Sequence, residues 1–302
     1  MYKVLVLMST YNGENYIRDQ LDSIFAQKDV KVKLLVRDDG SSDTTINIIK
    51  ELSKEKDIIL YRSKNLGPAF SFLDLIRNAQ LNFDDYDYYA LSDQDDIWLP
   101  DKLQVATHKL TEENADLYLG SLDAFMGKDF TQHFVFQATK HSDFEAMLRN
   151  NVAGCTMVFS KKVVERISEY NPKYLEMHDS WLVRVCQYTG LKTIVDKEPH
   201  MRYRIHGDNT CGAALTNLDK VKAYLKNVLE HDPDVASRTA HELLSGYKKY
   251  LKQNVLEYLL VLDKESTKKK RKIKLLKYFQ KEKFSTKSRK YDFFFEVVTG
   301  KI

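Results

Sequence analysis

Three carboxylates stand within four residues, at Asp93, Asp95 and Asp96, in the stretch LSDQDDIW (91–98). The apolar run YDYYA precedes them and LPDKL follows. Carboxylates this close raise one another's pKa unless a cation offsets them. Mg2+ or Mn2+ suits such a cluster, held by one or two carboxylates while substrate phosphates supply further oxygens. A helix-loop-helix Ca2+ loop does not fit, because its sixth position, counted from Asp93, is Trp98 rather than glycine. The plainer role is a solvated turn with an Asp N-cap. Position at the end of a strand argues for a ligand instead.

A second acidic turn, RDDGSSD (37–43), carries Asp38 and Asp39. An acid at such a strand end can hydrogen-bond a base or ribose, as in other doubly wound nucleotide sites. Asp43 reads as the N-cap of the next helix. Late in the chain, Arg202 and Arg204 alternate along MRYRIH and so share a face. A guanidinium there suits phosphate oxygens.

The elements that must position these residues follow from hydrophobic periodicity. KVLVLM, VKLLVRD, IILYRS and YDYYALS read as strands. Between them, ENYIRDQLDSIFAQ, DTTINIIKELSKE, AFSFLDLIRNA and DKLQVATHKLTEE read as helices. This alternation predicts βαβ units and a mostly parallel sheet in an α/β fold. Ligands bind beyond the carboxyl ends of such strands. STYNGE (9–14), RDDGSSD (37–43) and SDQDD (92–96) all fall there, so one crevice collects all three. The stretch 115–210 is mixed, with strands DLYLG, CTMVFS and KTIVD and a helix DSWLVRVCQYT. From about Asn217 the chain reads as helical.

Composition narrows the classes. The chain has 302 residues, 43% hydrophobic and 30% charged, enough for a core in one large or two modest domains. No apolar run reaches the ~18–20 residues of a membrane span. The opening MYKVLVLM reads as a first buried strand rather than a signal peptide. Cys155, Cys186 and Cys211 form no CxxC pair, which suits a reducing cytoplasm. The net charge of +4 is unevenly spread: residues 1–100 carry 12 Lys and Arg against 17 Asp and Glu.

MSTYNGENYIRDQLDSIFAQ, VRDDGSSDTT, NLGPAFSF and LSDQDDIWLPDKL occur in this order. Together they resemble the inverting family 2 glycosyltransferases of the GT-A fold. SDQDDIW is most similar to the bacterial rhamnosyltransferase branch. The resemblance implies a GT-A catalytic domain over 1–215, with a nucleotide-binding half (1–114) and an acceptor half (115–215), and a helical, basic subdomain over 216–302. It implies a donor site of Thr10, Tyr11, Asp38, Asp39, Asn65, Asp93, Arg202 and Arg204. Asp95 is the implied metal ligand for Mn2+ or Mg2+, and His206, in YRIHGDNTCG, a third ligand. The acidic motif EMHDSWL makes Asp179 the implied general base, against the alternative of a simple helix cap. NNVAGCTMVFS and the flanks of Asp179 place Gly154, His178 and Trp181 on the acceptor side. The Gln-x-x-Arg-Trp motif of processive members is missing from the sequence, which points to transfer of one or a few residues.

The segment 268–290 carries twelve Lys and Arg with Ile273, Leu275, Leu276, Tyr278 and Phe279 interleaved. No nucleic-acid module accompanies it. A solvated face is the plain reading; an anionic membrane surface fits better, since each cation near such lipid is worth ~1 kcal/mol. The expectation is therefore a cytoplasmic enzyme, peripheral to the inner face of the membrane. It would move a sugar, rhamnose from dTDP-rhamnose, onto a lipid-linked glycan in capsule or cell-wall polysaccharide synthesis. The alternatives are another hexosyltransferase with a UDP-sugar donor, a sugar nucleotidyltransferase, or an inactive nucleotide-sugar-binding scaffold.

Overall fold

A computed structural model describes residues 1–126, 132–139, 142–143, 145–147, 153–206, 234–263, 272–277, 290–291, 293–294 and 297. These residues contain one nine-stranded sheet. Its first strands are β1 (Tyr2–Thr10), β2 (Val30–Asp38), β3 (Ile58–Arg62), β4 (Tyr88–Ser92) and β5 (Ile97–Trp98). They are followed by β6 (Leu117–Met126), β7 (Gln132–Phe136), β8 (Val158–Ser160) and β9 (Thr193–Ile205). The order across the sheet is β3-β2-β1-β4-β8-β6-β9-β5, with β7 on β6.

The sheet is parallel along β3-β2-β1-β4 and antiparallel in the β4–β8, β6–β8, β6–β7 and β5–β9 pairs. The parallel half follows from buried apolar runs: Val4 to Met8 are fully buried, as strands covered on both faces require. Its register aligns Thr10 with Asp38 and Met8 with Ser92. Three polar strand ends therefore lie side by side.

Helices supply the cover. In α1 (Ile17–Phe25) the apolar stripe Ile17, Leu21 and Ile24 is buried, as helical spacing dictates. Helices α2 (Thr45–Leu52), α3 (Gly67–Asn82) and α4 (Lys102–Glu112) complete the alternating half. Then α5 (Lys161–Ser168) and α6 (His178–Tyr188) pack with α3. The short strand β5 and the long extension of β9 were not legible as a pair. Ile97 faces Arg202 and Trp98 faces Met201, so the segment after the carboxylates is fastened to the end of β9.

The chain divides into two compact units. The first comprises 1–140, 151–171 and 175–204, and the second 141–150, 172–174 and 205–302. The boundary expected at 215–216 lies outside the described residues, as do Cys211, residues 150–152 and the helix expected at VKAYLKNVLE. In the second unit α7 (Val235–Tyr247) and α8 (Gln253–Leu262) pack together. A 3-10 turn over Lys248–Tyr250 and extended Leu251 (φ −71°, ψ 133°) separate them. Gly246, a poor helix former, lies just before this break. Glu242 accepts hydrogen bonds from Lys173 N (3.0 Å) and Tyr174 N (3.2 Å). Much of the basic segment, including 268–271 and 278–289, is outside the described residues. Residues 272–277 are helical, with Leu275 buried and Ile273 half-exposed; further on, Phe293 is buried.

One buried cation organises the floor of the crevice. Arg37, on β2, is fully buried and ion-paired to Asp39 and Asp74. It also donates to Ser71 Oγ (3.0 Å) and the Lys64 carbonyl (3.1 Å). Removing one member of a buried ion pair leaves an uncompensated charge. Arg37→Leu is expected to cost about 3–5 kcal/mol of stability, read from urea unfolding. An unchanged midpoint would show that Asp39 does not depend on this cation.

Candidate active site

Behind β2, both acids turn inward. Asp38 accepts from Thr10 Oγ1 (3.1 Å), Gly40 N (3.0 Å), Ser41 N (2.9 Å) and Ser41 Oγ (2.5 Å). Gly40 has φ +90°, which only glycine adopts freely. Asp39 is buried, ion-paired to Arg37, and accepts from Ser71 Oγ (2.5 Å) and Leu66 N (3.3 Å). Thr10, Asp38 and Asp39 thus shape the turn from beneath. Tyr11 beside them is half exposed. Asn65 is exposed, and its Oδ1 accepts from Gly67 N (2.9 Å) at the start of α3.

At the end of β4, ligand atoms of Asp93, Asp96 and Cys155 lie within 4.8 Å of one another. Asp95 does not join that set, although its charge reaches both neighbours. Asp96 is fully buried; Oδ1 accepts from Arg204 N (3.2 Å) while Oδ2 has no hydrogen-bond partner. Burial, then the charges of Asp95 and Asp93, push Asp96 well above the usual carboxylate range. Burial and Asp95 push Asp93 up to about 7, with a further contribution from Asp179. Under them lies Lys102, buried, with Nζ 2.7 Å from the Cys155 carbonyl and 3.2 Å from the centre of the Trp98 ring. Burial pushes its ammonium down to about 7. Asp93 and Asp96, with the orphaned Asp96 oxygen, are short of positive charge, and a divalent cation fits this pair; the Cys155 thiol, which burial keeps protonated, is too soft a ligand for Mg2+ or Mn2+.

Arg204 holds this loop in place. Its Nε donates to the Asp95 carbonyl (2.9 Å), and its Nη2 lies 3.3 Å from Asp19. Its guanidinium sits 5.1 Å from the centre of the Tyr16 ring and 4.9 Å from that of Phe125. Arg202 faces Ile97 across the β5–β9 pair. His206 directly follows β9 and belongs to the second unit.

The helix α6 brings a third group. Asp179 occupies the first turn, after the N-cap residue Met177, and accepts from Ser180 N. It is therefore not the cap. Burial pushes its carboxyl up to about 6; Arg184 opposes that and Glu176 adds to it. His178 packs on Phe72 with ring centres 4.1 Å apart, and both ring nitrogens are buried without hydrogen-bond partners. Burial pushes it down to about 3, so the ring is neutral. A Cβ at Gly154 would stand 2.3 Å from His178 Nε2. The structure corrects the expectation for Trp181. It is 2% exposed, because α6 is buried nearly all round, so its indole belongs to the core and offers no face to a sugar.

Sequence reasoning passed over Gln94, Lys102, Cys155, Gln20 and Arg37. Gln94 stood in plain view between two acids. The buried Gln20 amide lies 2.8 Å from Ser92 Oγ and also reaches the Asp96 carbonyl and Trp98 Nε1. Its helical spacing alone would have flagged it as inward-facing.

The sequence profile described as "Glycosyl transferase family 2" matches residues 5–168. The chain belongs to this family. The dTDP-rhamnosyl transferase RfbG of Shigella flexneri is 33% identical over 225 residues, 71% of this chain and 77% of that one. The Escherichia coli protein WfaP, a UDP-Glc:alpha-D-GlcNAc-diphosphoundecaprenol beta-1,3-glucosyltransferase, is 24% identical over 76% of this chain and 87% of its own. In fold, this family 2 member is similar to S. aureus TarS 1-349, solved with UDP-GlcNAc. The TM-score is 0.56 at 16% identity, over 98% of this chain and 90% of that one. The fold is GT-A, with a helical C-terminal part.

The approach of Gly154 to His178 yields a test. Phe72 confines the imidazole, so it has little room to yield. Gly154→Ala is expected to lower stability by about 1–3 kcal/mol, as overpacked cores do, and to disturb the Asp179 end of α6. A melting temperature equal to that of the unmodified protein would show that the ring swings aside.

Proposed function

We propose that this glycosyltransferase moves a single sugar, with inversion, from a nucleotide-sugar to a lipid-linked glycan, with Asp179 as the general base. The observation that carries the reading is electrostatic. Asp179, held near pKa 6, is close enough for its charge to raise Asp93 in the carboxylate cluster. In this reading a base and a cation-demanding cluster stand close enough for their charges to interact, the pairing that the proposed transfer uses.

In this reading Tyr11, Asp38 and Asp39 define the nucleotide end. Asp93 and Asp96, whose ligand atoms lie close together, would hold Mn2+ or Mg2+, with Asp95, the ligand that the resemblance implies, adding its charge beside them. A divalent cation there supplies positive charge against the diphosphate as it departs. Asp179 takes the proton of the acceptor hydroxyl, which attacks the anomeric carbon from the face opposite the leaving group. Arg202 would pair with the phosphate oxygens, while Arg204 braces the loop. Neutral His178 supports the acceptor side together with Gly154. The donor is dTDP-rhamnose; the dTDP-rhamnosyl transferase RfbG supports that choice, and the UDP-Glc enzyme WfaP makes a UDP-sugar the alternative. WfaP's diphosphoundecaprenol acceptor supports a lipid-linked one here.

The experiment is nucleoside diphosphate release from dTDP-rhamnose and UDP-glucose with Mn2+ and a lipid-linked acceptor. Asp179→Asn keeps the shape but cannot take a proton, so transfer should fall ~10²-fold or more while donor binding persists. The base works only when deprotonated. Below about pH 6 the transfer rate should therefore fall roughly ten-fold per unit, and it should level off above. Donor affinity lost with turnover intact would reassign Asp179 to the donor site.

The basic segment is proposed to hold the enzyme at an anionic membrane surface, supported by half-exposed Ile273 and exposed Lys274 and Lys277. Leu275 within the segment and Phe293 beyond it are buried, so part of this stretch packs inward. No helix among the described residues is long and apolar enough to cross a membrane. Co-sedimentation with anionic vesicles should occur and weaken with salt, since exposed charges are screened over about 10 Å at 0.1 M. Equal sedimentation with neutral vesicles would remove the charge argument.

A further inference from the structure

Gln94, the residue between Asp93 and Asp95, turns its amide to the backbone of Tyr11. Its Oε1 accepts from Tyr11 N (2.9 Å) and its Nε2 donates to the Tyr11 carbonyl (3.1 Å). The amide therefore reads the Tyr11 backbone at both ends, as a neighbouring strand would. Gly13 leaves room for it: a Cβ there would stand 2.3 Å from Gln94 Oε1 and 2.5 Å from its Cδ.

The rest of the Tyr11 loop is fastened on its other side to the turn after β2. Asn12 N donates to Ser41 Oγ (2.9 Å), Gly13 N to Thr45 Oγ1 (2.8 Å) and Ser42 N to Asn12 Oδ1 (2.9 Å). Glu14 N donates to Asp43 Oδ2 (3.0 Å), and Thr44 N returns a bond to Glu14 Oε2 (2.9 Å). Asn12 itself has φ +48°, a conformation that needs such support. Those bonds set the loop against the β2 turn. The Gln94 pair sets it against the carboxylates.

We propose that Gln94 is a positioning residue that couples the two ends of the donor site. It holds Tyr11 in register with Asp93 and Asp95, so a nucleoside and its diphosphate are gripped as one unit rather than as two independent contacts. The proposal rests on the donor reading given above. Because the clamp joins backbone to side chain, it does not depend on which base the nucleotide carries. Coupling of this kind is reciprocal: whatever orders the carboxylate loop also orders Tyr11.

The test compares two probes on the full chain by titration calorimetry with saturating Mn2+. Inorganic pyrophosphate engages only the carboxylate end, whereas UDP and dTDP engage both. The variant Gln94→Met keeps the volume beside Gly13 but makes neither hydrogen bond. Two neutral hydrogen bonds of ordinary strength predict that the advantage of the preferred nucleoside diphosphate over pyrophosphate shrinks by about ten-fold. Pyrophosphate affinity should stay as in the unmodified protein. Gly13→Ala, which displaces the same amide from the other side, should reproduce the effect and serves if Gln94→Met does not fold. An unchanged advantage overturns the coupling, and so does equal weakening of both probes, which would mark general damage to the loop. Failure of the unmodified protein to bind either nucleotide would instead overturn the donor reading on which the coupling stands.

Discussion

Buried negative charge at the end of β4 is the constraint on which the site depends. Asp93 and Asp96 stand close together with Asp95 between them in the chain, and burial strips away the water that would screen them. The protein answers only in part. Lys102 lies beneath, yet its own burial drives it toward neutrality, and one Asp96 oxygen has no hydrogen-bond donor. The cluster is left short of positive charge. Such a shortfall is costly in a structural core and useful where a cation and a diphosphate are to be bound.

Rigidity around that cluster comes from side chains bonded to backbone. Arg204 fastens Asp95 and Asp96 to β9, Gln94 fastens them to Tyr11, and Gln20 reaches the same loop from α1. None of these groups is a ligand in the proposed chemistry. They act by holding ligating groups still, so that little ordering remains to be done when substrate arrives.

The base side is built differently. Asp179 is raised by burial in the first turn of a helix that is apolar almost all round. His178 beside it is neutral, and its shape matters more than its charge: the ring fills the space between Phe72 and Gly154. A glycine here is a matter of volume, because any side chain at 154 would meet the imidazole.

Local pattern was sufficient for the alternating first half of the fold. Apolar runs and helical spacing depend only on neighbours in the chain, and the ordered motifs placed Asp93, Asp95 and Asp179 in one enzyme family. Local pattern also told which strand ends would meet, since parallel strands share a direction. It did not tell which way a polar side chain turns. Asp38 and Asp39 point inward because Ser41, Ser71 and Arg37 wait there. Trp181 is core because α6 is covered on every side. Cys155 joins the acidic cluster because β8 runs antiparallel to β4, a pairing written in no single segment, and its carbonyl there meets Lys102. The sequence by itself determined the elements and the chemistry of their ends. Only tertiary structure decided which charges go uncompensated and which residues hold them, because burial and partnership depend on segments distant in the chain.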